Sequence, residues 1–284
     1  MNTLRLVACA SVLASPLFLL TDCELLGATL GTVGLAACPE LRGNVDVLSA
    51  TFSADVKANG KIRAFVSASK DLLAMATQAE AEAAEACLRI GADLGMNPAE
   101  LQPRNETAGR ATGACGAVGA RLDAILRQGL RFEVSVTPPQ CQASVETQAR
   151  CSGSCQGAVQ GPQGDAECNA SCNAQADLRA TCTPIAVMVR PSIANPMALQ
   201  LAASLQANLP QLLHAEWVLG KRVLQDAEVI VKVGQNLPGI VGDAGVRALA
   251  CVGAAAEASV QASLSIKVTV QVSAGVSGRA GVGG

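Results

Sequence analysis

The sequence predicts an α+β fold: a helix-rich body packed on a small antiparallel sheet, interrupted by a disulfide-stapled, Cys-rich insertion. Long Ala-rich stretches flank two short segments of strand character, and twelve cysteines follow an apolar N-terminus. Four of them, Cys151, Cys155, Cys168 and Cys172, form paired Cys-x-x-x-Cys steps. Ala is the best helix former and is depleted in strands, and cysteine at this density in an exported chain reads as a cross-linking framework.

Residues 1–22 have the layout of an export signal, with a basic start from Met1 to Arg5, an apolar run from Leu6 to Leu20 and a polar stop at Thr21-Asp22. The run is short of the ~20 residues a membrane span needs. Asp22 and Glu24 divide it from the next apolar stretch, Leu25 to Ala37, and each carboxylate would cost roughly 2.5–3.5 kcal/mol near a bilayer centre. Two cysteines compete as an acylation site that would make residues 23–43 a membrane tether. Cys38 follows the small residues Ala36-Ala37, which suit a signal peptidase. Cys23 lies at the better distance and, with Cys9 lost in the signal, leaves ten thiols, an even set. Cys23 is therefore preferred, with Cys38 as the alternative and export without lipid as the plainest reading.

Half of the residues are apolar, 15% are charged and the net charge is −2, which describes a folded chain with no electrostatic footprint for nucleic acid. With no Tyr, one Trp and four Phe, there is little material for stacking on bases or sugars.

Residues 44–130 read as a helical region. Leu48, Phe52, Val56, Ile62, Val66 and Leu73 fit one helix face, although the same stretch alternates and Asn59-Gly60 is a hairpin signal. Asn97-Pro98 looks like a capped helix start, and a further helix is expected from Thr107 to Leu130. Its Gly113, Gly116 and Gly119 would allow another helix backbone to approach closely. Cys87 and Cys115 fall on these successive helices and could join them.

Residues 131–190 contain two strands, at 131–137 and 185–190, enclosing the insertion 141–182. Cys141 and Cys182 would close their ends. Cys at i and i+4 share a helix face, and Gly157, Gly161, Pro162 and Gly164 mark a turn. Two antiparallel helices would thus set Cys151 beside Cys172 and Cys155 beside Cys168. The insertion offers little for burial, so cross-links are expected to hold it. Tetrahedral zinc on the four thiolates is the alternative, disfavoured by the three-residue gap and an oxidising compartment. The twin Cys-x-x-x-Cys spacing resembles the helical hairpins of mitochondrial intermembrane-space chaperones and assembly factors, a likeness confined to this insertion that implies no activity.

Residues 191–257 read as helices from Met197, from Pro210 and from Gly239, and the region holds the sole histidine, His214, three residues before Trp217. Cys251 is left to pair with Cys38. From Ser259 to Val276, apolar and polar residues alternate, so residues 258–284 are expected to form one long strand, able to join a three-stranded sheet, with a mobile Gly-rich tail.

No serine-hydrolase elbow, phosphate loop or zinc-protease helix is present, so no catalytic residue, cofactor or metal ligand is assigned. The signal, the Cys-Pro-Glu-Leu-Arg-Gly run at Cys38 to Gly43 and the Cys-rich insertion together resemble uncharacterised Ala- and Cys-rich envelope lipoproteins of Gram-negative bacteria. That resemblance implies a location, periplasmic or at the outer membrane, and no activity. The function expected is a non-enzymatic, lipid-anchored envelope protein, structural or protein-binding, with protein partners or self-association and no nucleic acid. A lipid-binding helical protein and an enzyme with a cryptic carboxylate site are the alternatives.

Overall fold

Two long helices, Val56–Asp93 and Val246–Ala280, pack on each other and carry many of the remaining helices. In the computed structural model residues 38–102, 109–155, 166–240 and 244–282 are described. The export signal, Cys23, the tether before Cys38 and the Gly/Pro turn of the insertion lie outside them. In chain order the helices are α1 Val56–Asp93, α2 Arg110–Leu126, α3 Val145–Cys155, α4 Ala166–Leu178, α5 Pro196–His214, α6 Leu224–Ile240 and α7 Val246–Ala280, with a π-helical segment, Ala215–Val223, joining α5 to α6. The strands are β1 Phe132–Thr137, β2 Cys141–Gln142, β3 Thr181–Cys182 and β4 Ala186–Pro191. The fold is α+β, rich in helix, with a small antiparallel component.

Residues 44–55 are not helical. They form a turn at Val47–Ser49 and an extended run that lies along α1. Asp55 caps α1 by accepting from the Ala58 amide at 2.7 Å. Asn59, inside the helix, takes the amides of Phe52 and Ser53 on its Oδ1. The Asn-Gly pair is thus helical, with Asn59 serving the chain before it. Gly60 meets α3 so closely that a Cβ there would stand 2.6 Å from the Ser154 carbonyl oxygen.

Asn97-Pro98 opens only a short 3-10 turn, Pro98–Leu101. Helix α2 ends at Leu126, four residues earlier than expected, and its first amide is satisfied from α1, Arg110 donating to Glu80 Oε1 at 3.0 Å. The expected backbone approach at the glycine triad is not seen at Gly116 or Gly119: a Cβ on Gly116 would meet nothing, and one on Gly119 would meet the Arg279 side chain.

Strands β1 and β4 pair antiparallel from Phe132↔Pro191 to Thr137↔Ala186. Pro138-Pro139 lacks amide donors, and pairing resumes at Cys141↔Cys182 as a separate two-stranded ladder. Among the described residues, no third strand joins either sheet. The long terminal strand expected over 258–284 is instead helix α7, which reaches into the Gly-rich segment as far as Ala280. Its buried positions, among them Ala255, Ala258, Ser259, Ala262, Ile266, Thr269, Ser273, Val276 and Ala280, step by three and four. Of the large residues that made the alternation, Val260, Leu264 and Val268 face outward, whereas Ile266 and Val276 are buried. A helix satisfies its own backbone groups, whereas a lone long strand leaves them unpaired. Small and hydroxyl side chains also let α7 lie close against α1, α2 and α6. Pro210 likewise fails to divide two helices and sits inside α5.

The core has two halves. In one, Ile62, Phe65 and Leu72 of α1 meet Ile230 and Leu237 of α6, Leu219 of the π segment, and Val252 and Ile266 of α7, with Leu41, Val47 and Phe52 closing one side. In the other, Ile90 of α1, Val118 and Leu122 of α2 and Leu205, Leu209 and Leu212 of α5 pack beside Val189 of β4 and Val276 of α7.

Candidate functional site

Ten cysteines close into five bridges: Cys38–Cys251, Cys87–Cys115, Cys141–Cys182, Cys151–Cys172 and Cys155–Cys168. Each ties elements that the local sequence places apart. Cys87–Cys115 joins α1 to α2, Cys141–Cys182 closes the ladder after the prolines, and Cys38–Cys251 fastens the N-terminal segment to α7. Cys38 is therefore not available for acylation, since a sulfur committed to a bridge cannot also form a thioether. Cys151, Cys155, Cys168 and Cys172 form a buried knot, with Cys155 Sγ and Cys172 Sγ of different bridges 3.6 Å apart. Bridged sulfurs are not zinc ligands. The Cys155, Cys168 and Cys172 sulfurs lie within 4.8 Å of one another, with Cys155 and Cys168 joined directly and Cys172 bridged to Cys151.

Helix α3 buries only Cys151 and Cys155, whereas α4 buries Ser171, Ala174, Gln175, Ala176 and Leu178 besides its cysteines. The expectation that cross-links alone hold the insertion is thus corrected for α4. Asp71 of α1 accepts from Nε and one Nη of the Arg179 guanidinium, at 2.8 and 2.7 Å, and from the Gln175 amide at 2.8 Å. Small side chains on α4 made this docking face invisible to a search for large apolar residues.

Docking of α4 creates a groove of about 800 Å³ between α1, the α4–β4 connection and the junction of α5 with the π segment. Its apolar surface comes from Met75, Leu178, Ile185, Val218, Leu219 and Val223. Its polar groups are Glu82, Glu85, Asp177, Gln78, Gln211, Thr183 and His214, with no Lys or Arg. Gln78 donates to Glu82 at 2.7 Å, Arg89 pairs with Glu85, and Arg222 pairs with Asp177 at 2.6 Å. Gln211 Oε1 is shut from water and accepts no hydrogen bond among the described residues. The sole histidine therefore lies in the wall of this groove, at the point where α5 gives way to a π helix. Such widened turns recur at functional sites.

No known family, curated protein or solved structure matches this chain.

Behind the groove, burial pushes the Asp226 carboxyl up from 3.8 to about 7, the Asp177 carboxylate adds to the effect, and Arg222 opposes it. A carboxyl whose folded value is raised holds its proton better in the native state. Its favourable contribution is complete below about pH 4 and is lost as the pH rises through about 7. Asp226→Asn is expected to flatten the pH dependence of stability over that window. At about pH 8 it is expected to stabilise the protein by roughly 1 kcal/mol, the full shift being discounted for solvent screening of a half-exposed group. Denaturant unfolding at the two ends of the window measures this, and a variant no more stable than the parent at the upper end would refute it.

Proposed function

We propose that the protein is a non-enzymatic, lipid-tethered component of a bacterial cell envelope, at the outer membrane or in the periplasm, with a structural or protein-binding role. The observation that carries this reading is the pairing of every cysteine from Cys38 onward. Ten of twelve cysteines are bridged, as suits an oxidising, extracytoplasmic compartment. Only Cys9 and Cys23 remain, and Cys9 falls within the export signal. The resemblance to Ala- and Cys-rich envelope lipoproteins agrees with acylation at Cys23.

Intact-mass measurement of the mature protein tests the reading. A chain beginning at Cys23 and carrying an acylated diacylglyceryl group is expected, gaining ten hydrogens on reduction of its five bridges. An unprocessed N-terminus with reduced thiols would reject it.

A lipid-binding role is favoured by one feature, the exposed Val260, Leu264 and Val268 on successive turns of α7. That helix is long and apolar enough to cross a membrane, with half of its most apolar stretch buried in the body. Co-sedimentation of the exported Cys23→Ser protein with liposomes separates the readings: a protein that stays in the supernatant has no lipid affinity of its own. The carboxylate-enzyme reading calls for two acids of perturbed titration in one cavity. Asp226 is such an acid and lies outside the groove lining.

A further inference from the structure

We infer that the groove beside α4 is a binding site for a small amphipathic organic cation, an aliphatic chain carrying a primary ammonium group. This assignment goes beyond an envelope role and does not depend on the tether.

The volume of about 800 Å³ lies within the range of small-molecule sites. The floor is aliphatic, made by Met75 of α1, Leu178 beyond α4, and Val218, Leu219 and Val223 of the π segment. An alkyl chain can cover these groups and remove them from water. The lining carries three carboxylates and neither Lys nor Arg, which selects for positive charge and against fatty acids or phosphates.

The three carboxylates are not equivalent. Glu85 has Arg89 and Asp177 has Arg222 as ion-pair partners. Glu82 is half-buried, and among the described residues it is met by the neutral Gln78 amide and by no cation. Glu82 is thus the carboxylate with unspent charge. An ammonium donor reaching it forms a charge-assisted hydrogen bond, the strong class. Trp217, the only tryptophan, lies outside the groove lining and packs on the other half of the core, but it adjoins the lining residue Val218 in the π segment and so supplies an intrinsic reporter.

Octylammonium titrated into the full-length, oxidised protein, followed by Trp217 fluorescence and by calorimetry, tests the assignment, with octanoate as the probe of equal chain length and opposite charge. The expected result is saturable one-to-one binding of octylammonium and at least roughly tenfold weaker binding of octanoate. Glu82→Gln, which keeps shape and loses charge, is expected to weaken octylammonium by about tenfold and to leave octanoate unweakened. No saturation at millimolar octylammonium, equal affinity for the two probes, or tighter binding of a short Lys/Leu peptide than of octylammonium would each overturn it. The comparison of the two probes on the unaltered protein needs no variant, so a failure of Glu82→Gln to fold does not shelter the assignment. Loss of the Cys23 acyl group leaves every expected value unchanged, so this test and that of the envelope role fail independently.

Discussion

Replacing Cys151, Cys155, Cys168 and Cys172 together by Ser is expected to release α3 from the molecule while α4 stays docked. The two bridges close loops of 21 and 13 residues, and chain-entropy reasoning assigns each about 3 kcal/mol. Because one loop is nested inside the other, roughly 4 kcal/mol is expected for the pair. Nothing else on α3 replaces that contribution, since its buried residues are the two cysteines themselves. Helix α4 keeps Leu178, Ala174 and the Asp71 hydrogen bonds to Arg179 and Gln175. Limited trypsin digestion should therefore cut first after Arg150 in α3, with Arg179 protected. Equal resistance of Arg150 in the parent and the fourfold variant would show that packing holds α3. First cleavage at Arg179 would show that α4 depends on the bridges.

The second large effect is expected where α1, α6 and α7 cross. Phe65 is fully buried there, and a Cβ on Gly234 would lie 2.7 Å from Phe65 Cζ and 3.0 Å from the Ala256 Cβ. Phe65→Ala is expected to cost about 3–5 kcal/mol through lost burial and a cavity. Gly234→Ala is expected to cost about 1–3 kcal/mol, because an enclosed ring and a neighbouring helix must both shift. The two faults partly cancel. With the Phe65 ring gone, the new methyl occupies vacated space, so the double variant is expected to lose at least about 1 kcal/mol less than the sum. Chemical denaturation of the four proteins closes the cycle, and additivity within about 0.5 kcal/mol would show that Gly234 is not set by the ring.

These expectations draw on features of unequal visibility. Leu72 to Arg89 is helical in sequence and in structure, because Ala and Glu carry helix propensity whatever they touch. Strands β1 and β4 were legible from β-branched residues bounded by proline and cysteine. The i,i+4 cysteines, together with the Gly/Pro turn between the two steps, pointed to both bridges of the knot through an antiparallel helical hairpin. Helix α7 was not legible. Its strand-like alternation included Val260, Leu264 and Val268, which face solvent, while its inner face is built mostly of Ala, Ser and Thr with Ile266 and Val276 among them. The groove was hidden for another reason: Glu82, His214 and Leu178 belong to three separate stretches of chain, brought together by the packing of α5 and α4 on α1.

By itself, the sequence determined the helix-rich character and the two pairing strands, set by local propensity and periodicity, and it suggested cysteine partners without fixing their connectivity. Tertiary structure decided that residues 246–280 are helix, that Cys38 is spent on Cys251, and that one histidine and three carboxylates share a cavity. Those outcomes depend on which surfaces approach closely enough to prefer small side chains and on backbone groups that must find partners once buried, and neither is written in any single window of residues.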